Sequence, residues 1–190
     1  RYENKFEEAK YFREEIRKQL KNLFGSQKLY NQGFIVKTTI NTELQKIADE
    51  VFVNGLIQYD IRQGWRGPLK NPYKKMIFSS DYKQSIKNPF PKKWKLFQII
   101  EVDKKFLKVV DKQSNENNIY LKNGNKWLSK VDFKIGDIFF TEKNSGEILI
   151  RQIPKANGGI IVVDPHTGKI LAITGGFSFE LSEFNRATQA

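Results

Sequence analysis

The chain has 190 residues, with 33 Lys and Arg against 21 Asp and Glu, a formal net charge of +12, one His and no Cys. The missing thiols exclude a disulfide framework and thiolate chemistry, and a single imidazole argues against a zinc centre. Hydrophobic content of 39% with 13% aromatic residues is that of a packed domain, not of a disordered chain, and no apolar run approaches the ~18 residues of a membrane span.

The charge is local. Residues 66–105 carry eleven Lys or Arg against three Asp or Glu, and residues 106–190 carry eleven against nine. A basic stretch suits phosphate, lipid headgroups or an acidic partner, and it equally suits a solvated, solubilising loop. The chain opens without Met and without a signal-peptide pattern, which we read as an expectation that it is part of a longer protein.

Residues 1–24 predict an amphipathic helix, with Tyr2, Phe6, Ala9, Phe12, Ile16, Leu20 and Phe24 recurring every three or four positions and Gly25 as the stop. The stripe suits core packing against a neighbouring domain; a membrane or partner surface is the other reading. Phe34–Ile40, rich in β-branched residues, predicts a strand. A second helix follows, capped by Asn41 or Thr42, with Thr42 and Gln45 spaced as a capping box and Leu44, Ile47, Ala48 and Val51 as its apolar face. Gly64, Gly67 and Pro68 then break the chain, and Pro72, Pro89 and Pro91 mark residues 69–93 as an irregular lysine-rich connection.

From residue 94 the period changes to two. Five short strands are predicted: Leu96–Val102, Phe106–Asp111, Asn118–Leu121, Asp137–Thr141 and Ile148–Ile153. Five strands in so short a span predict a small closed or nearly closed barrel of OB type, with an SH3-like barrel as the competitor. Trp94 and Trp127 then either plug the barrel or stack on a ligand.

The last elements are two apolar runs, Ile160–Val163 and Ile170–Ile173, joined by Asp164-Pro165-His166-Thr167-Gly168. Asp, Pro and Gly in that order predict a tight hairpin turn. Neither run alternates, so both strands are expected to be buried on both faces within a larger sheet.

No complete active site can be assembled from these residues. Ser80 and Lys83 satisfy Ser-x-x-Lys, but they lie in the proline-broken connection with no Lys-Thr-Gly after them. His166 is a turn residue without a nucleophile near it in sequence, and Asp164 organises its own turn. Glu180 and Glu183 lack a second acidic pair, and Gly158-Gly159 and Gly175-Gly176 form no phosphate cradle. No cofactor or metal is expected.

Several motifs together carry a resemblance. These are Tyr30, Gly33–Ile40 and Leu44-Gln45; Tyr59-Asp60 with Gly64-Trp65-Arg66-Gly67-Pro68; Gln152-Ile153-Pro154; Asp164–Ile173; Gly175-Gly176-Phe177; and Phe184-Asn185-Arg186-Ala187-Thr188-Gln189-Ala190. The chain resembles the class A penicillin-binding proteins across both flanks and only loosely across the barrel. The resemblance implies a bifunctional peptidoglycan glycosyltransferase and D-Ala-D-Ala transpeptidase on the periplasmic side of the bacterial inner membrane. It also implies that the glycosyltransferase domain precedes residue 1 and that the acylated Ser follows Ala190, so no catalytic residue of the family falls on this chain.

The expected organisation is α+β. Residues 1–29 are read as a helical linker, and 30–68 as the opening segment of the transpeptidase domain. Residues 69–154 are read as the connection and OB-like barrel, and 155–190 as the first transpeptidase hairpin. The barrel is expected to be a spacer or a docking module for an envelope regulator or for peptidoglycan. Lys92, Lys93, Trp94, Lys95 and Trp127 are its candidate partner-binding residues. A barrel binding single-stranded nucleic acid or glycan is the alternative; the strands show few alternating surface aromatics, which speaks against nucleic acid.

Overall fold

The computed structural model describes residues 9–69 and 94–189. The chain is α+β and divides into two compact units, Arg1–Leu56 with Ala156–Ala190, and Ile57–Lys155.

In the first unit, α1 (Lys10–Asn31) follows the start of the predicted stripe: Ala9 and Phe12 are buried with Ile16 packed against them, Tyr11 is buried although outside the stripe, and Phe24 is exposed. Gly25, at φ 78°, breaks the helix where the sequence placed its stop, and helical bonding resumes beyond it. Tyr2 and Phe6 lie outside the described residues.

The predicted strand Phe34–Ile40 does not form a ladder. The segment is extended and exposed, with Ile35 96% accessible. It is fastened instead by the Thr39 hydroxyl donating to the Ile170 carbonyl and by Asn41 N–H donating to Leu171 O at 2.9 Å. Both contacts lie at the end of the segment, and strand propensity without a run of backbone pairs builds no ladder.

Helix α2 (Thr42–Arg62) is capped by Asn41, whose Oδ1 accepts from Glu43 and Leu44 N–H at 3.1 and 3.0 Å. The expected capping box is therefore absent: Gln45 is buried and turns to the hairpin. The buried face of α2 is also rotated from the expected one. Gln45, Ala48, Ile57 and Asp60 are buried, while Ile47 and Val51 are exposed. Two polar residues hold the inward positions because each meets backbone partners there.

The second unit is a five-stranded antiparallel sheet: β1 (Trp94–Val102), β2 (Phe106–Asp111), β3 (Glu116–Tyr120), β4 (Ile138–Asn144) and β5 (Glu147–Arg151), in the order β3-β2-β1-β4-β5. All five predicted strands are present within a few residues at their ends. A 3₁₀ helix, Asn123–Leu128, occupies the predicted turn between β3 and β4. A bulge at Ile99–Glu101 bends β1, as a sheet curling over its own core requires. Phe97, Ile99, Leu107, Val109, Ile119, Leu128, Phe133, Phe139 and Ile150 form that core.

Of the closed or nearly closed barrel expected, closure by a ladder is not found among the described residues: β3 and β5 are the two edges of the sheet. One side chain spans the gap. Asn125, 3% exposed, donates from Nδ2 to Tyr120 O (3.2 Å) on β3 and to Ile148 O (2.8 Å) on β5. Its Oδ1 accepts from Ile150 N–H at 2.9 Å. Gly124 beside it lies against Leu149, so that a Cβ there would come within 2.5 Å of a Leu149 methyl and displace that side chain. The 3₁₀ turn thus lies flush on β5 and the amide does what a few ladder bonds would do.

In the first unit, β6 (Ile160–Val163) and β7 (Ile170–Thr174) form a two-stranded hairpin. Its turn is the predicted one: Asp164 Oδ1 accepts from His166 N–H at 2.9 Å and Oδ2 from the Thr167 hydroxyl at 2.7 Å, with Gly168 at φ 69°. The Thr167 hydroxyl and His166 amide hold the Asp164 carboxyl below its ordinary range. His166 is exposed, as a turn residue. The expectation of two buried faces fails for β6. Its residues alternate, with Ile161 and Val163 38% and 47% exposed, because the described residues supply no further strand beside it.

Candidate functional site

Two arrangements convert quoted sequence motifs into geometry. The first lies in the second unit, where Asp60–Pro68 meets Gln152–Lys155. Asp60 sits in the last turn of α2, where the helix dipole disfavours a carboxylate. Arg66 offsets this with a two-pronged contact, Nη1 to Oδ1 at 2.7 Å and Nη2 to Oδ2 at 2.9 Å. Asp60 is 2% exposed, so the pair is shielded from water on its acidic side.

The same guanidinium donates to Ile153 O at 2.6 Å, and Lys155 N–H donates to Asp60 Oδ1 at 3.2 Å. Gln152 completes the clamp, accepting from Arg66 N–H at 3.2 Å and donating to Gly64 O at 2.8 Å. Gly64 (φ 87°) and Gly67 (φ 101°) bend the chain on either side of Arg66. Trp65 between them packs on the core through Trp127 and Phe133, at ring separations of 5.9 and 6.0 Å. The segment entering the five-stranded fold is thereby tied to the segment leaving it.

The second arrangement lies in the first unit. Gln45 behaves as a piece of strand: Nε2 donates to Ile173 O at 3.0 Å and Oε1 accepts from Ile173 N–H at 2.9 Å. Asn157 Oδ1 accepts from Phe177 N–H at 2.9 Å. The chain then closes on itself through glycines. A Cβ on Gly175 would overlap the Asn185 side chain, one on Gly159 would lie 2.6 Å from Ala187 N, and one on Gly176 would lie 2.5 Å from the Tyr11 hydroxyl.

These glycines admit a short helix, α3 (Arg186–Gln189). Asn185, 2% exposed, is its cap: Oδ1 accepts from Ala187 N–H at 3.1 Å, and its own N–H donates to Gln189 Oε1 at 3.0 Å. Gly175 O accepts from Arg186 N–H at 3.1 Å. One glycine of each Gly-Gly pair, Gly159 and Gly175, is thus a close-approach position for the Asn185–Ala187 backbone, while Gly176 makes room for the Tyr11 hydroxyl.

The candidate partner-binding residues are scattered in exposure. Trp94 is 1% exposed on β1 and offers no ring face to a ligand, while Lys95 beside it is exposed. Trp127 is half-buried, with its indole N–H buried and without a hydrogen-bond acceptor. Trp65, read within the Gly64–Pro68 motif and not as a binding candidate, packs beside it. Lys92, Lys93, Ser80 and Lys83 lie outside the described residues. Glu180 makes an ion pair with Lys10 and accepts from the Ser178 hydroxyl at 3.0 Å, a structural and not an acid–base role. Among the described residues, no group of His, Asp and Glu could hold a metal ion, and no helix is long and apolar enough to cross a membrane.

No protein-family model matches the chain. The chain is 31% identical to penicillin-binding protein 1A of Rickettsia typhi over 96% of its own length and 24% of that protein. It is 32% identical to penicillin-binding protein 1A of Haemophilus influenzae, over 98% of its length and 22% of that protein. With the Escherichia coli protein of the same name the identity is 25%. The crystal structure of penicillin-binding protein 1A from H. influenzae superposes over 95% of the chain and 28% of the crystallised one, with a TM-score of 0.77 and 29% identity. The chain spans about a quarter of the length of these curated relatives.

Proposed function

We propose, for a chain that resembles penicillin-binding protein 1A along nearly its whole length, that it is a non-catalytic part of a bifunctional peptidoglycan synthase. The parent polymerises lipid-linked disaccharide-pentapeptide and cross-links the stem peptides through an acyl-serine intermediate, on the periplasmic side of the inner membrane. The observation that carries this reading is the Asn185–Gln189 run. It is capped, buried at Asn185 and admitted by two glycines, Gly159 and Gly175, which suits a segment leading into a positioned nucleophile.

In this reading residues 1–29 are the linker from the glycosyltransferase, and 30–68 and 155–190 belong to the transpeptidase. Residues 69–154 are an insertion of OB type. The strand order β3-β2-β1-β4-β5, the helical turn between β3 and β4 and the Asn125 bridge fit a partly open Greek-key barrel. The barrel acts as a spacer or docks an envelope regulator or peptidoglycan through Lys92–Lys95 and Trp127, with exposed Lys95 as the described charge available to it.

A fluorescent β-lactam tests the assignment. The full-length parent is labelled covalently, and the 190-residue chain is not. Labelling of the chain alone overturns the non-catalytic reading, and failure to label the parent overturns the enzyme class. Alanine at Lys95 and Trp127, followed by pull-down with purified sacculi, tests the docking role; unchanged retention removes peptidoglycan as the partner.

A further inference from the structure

Helix α1 makes more contact with the closing run than packing alone requires. Tyr11 is buried, and its hydroxyl donates to Ser182 O at 2.8 Å. Its ring meets Phe179 edge-on, with centroids 5.0 Å apart. The same hydroxyl stands where a side chain on Gly176 would have to go. One turn along α1, Glu15 Oε2 accepts from the Thr188 hydroxyl at 3.2 Å and from Asn185 Nδ2 at 3.5 Å. Lys10, at the start of the helix, is paired with Glu180.

Lys10, Tyr11 and Glu15 lie within the first six residues of α1, and each holds a different point of 180–188. Asn185 is therefore held from both sides. Its Oδ1 caps α3 through Ala187 N–H, and its Nδ2 is directed at the Glu15 carboxylate. A carboxylate accepting from both a hydroxyl and an amide fixes the rotamer of the capping residue as well as the first turn it caps.

We infer that Tyr11 and Glu15 are positioning residues for transpeptidation: α1 sets the orientation of the Asn185–Gln189 turn and, through it, of the nucleophile that follows. This rests on the function proposed above. Neither residue touches substrate. Their effect is geometric, and small displacements of a nucleophile lower the rate of attack far more than they lower binding.

The test uses the full-length parent, comparing Glu15→Ala, Glu15→Gln and Tyr11→Phe. The readouts are the kinetics of acylation by a fluorescent penicillin and glycan polymerisation as an internal control. Glu15→Ala is expected to lower the acylation rate at saturating penicillin by roughly tenfold, and Tyr11→Phe by roughly threefold. The half-saturating concentration and the polymerisation rate stay within about twofold. Glu15→Gln, whose amide oxygen still accepts from Thr188, restores most of the rate.

Acylation that is unchanged in both Glu15→Ala and Tyr11→Phe overturns the proposal. So does a Glu15→Gln variant as slow as Glu15→Ala, or a parallel loss of polymerisation, which would mark a general folding defect. A parent that is never acylated, even unmodified, refutes instead the functional reading on which the proposal stands.

Discussion

The two units are built from strands of similar apolarity and meet different fates. In the five-stranded unit, β1 and β4 are buried on both faces: Phe97, Ile99 and Phe139 point into the core, and Trp94, Leu96 and Phe140 on the opposite face are 1%, 7% and 3% exposed. In the hairpin unit, β6 is a run of Ile and Val that leaves Ile161 and Val163 in solvent, and Ile35, Ile47, Val51, Leu181 and Phe184 are exposed as well. A strand that is apolar on both faces states that two surfaces will be covered. It does not state that the covering is supplied by the same stretch of chain.

The sharpest way to break this comparison is to cut into each core. Phe139→Ala removes a ring packed against Phe133 and is expected to cost about 4 kcal/mol, read from denaturant unfolding of the five-stranded unit. Comparable losses from an alanine at exposed Ile161 would show that the hairpin unit is as self-sufficient as the sheet.

Next in size is the clamp at the ends of the five-stranded fold. Arg66→Ala leaves the buried Asp60 carboxylate facing only the Lys155 amide, an expected loss of about 3 kcal/mol. Arg66→Lys recovers only part of it, since an ammonium cannot fill both carboxylate oxygens and Ile153 O in one plane. Faster amide exchange at Lys155 in both variants is the accompanying signature.

Asn125→Ala opens the seam between β3 and β5, leaves three backbone groups short of a partner, and should cost about 2 kcal/mol. Amide exchange at Ile150 rises with it. Protection that survives the substitution would mean that the edges hold each other without the amide.

A pH titration separates the units more gently. Burial raises the Tyr11 phenol from 10.0 to about 12, against the opposing field of Arg186. The folded state then keeps a proton that the unfolded chain releases first. This contribution to stability is complete below pH 10 and is lost as the pH rises through about 12. Absorbance titration should show a late phenol that is lost in Tyr11→Phe. Ile161→Thr sits at the bottom of the scale, with an expected change under about 0.5 kcal/mol and a gain in solubility.

Legibility in the sequence followed the range of the interactions. The five strands, the break at Gly25, the Asp164 turn and the family resemblance depend on neighbours a few residues apart or on motif spacing, and all could be read directly. The failed expectations concern distant partners. Phe34–Ile40 has strand propensity but meets backbone of β7 only at its end, through Thr39 and the following Asn41. Gln45 looks like a capping residue until Ile173, 128 positions away, offers its backbone. Trp127 packs on the core of the sheet, and the ring set edge-on against it comes from Trp65, 62 positions away.

The sequence by itself determined where the chain bends, which runs extend, and which family it resembles, because backbone conformation and periodicity are local properties. Only the tertiary structure decided that Asp60, Arg66 and Gln152 are one clamp and that Asn125 bridges an open sheet. It alone showed that Gly159, Gly175 and Gly176 are spaces reserved for Ala187, Asn185 and Tyr11. Each of these is a hydrogen bond or an excluded volume between residues whose separation along the chain carries no information about their separation in space.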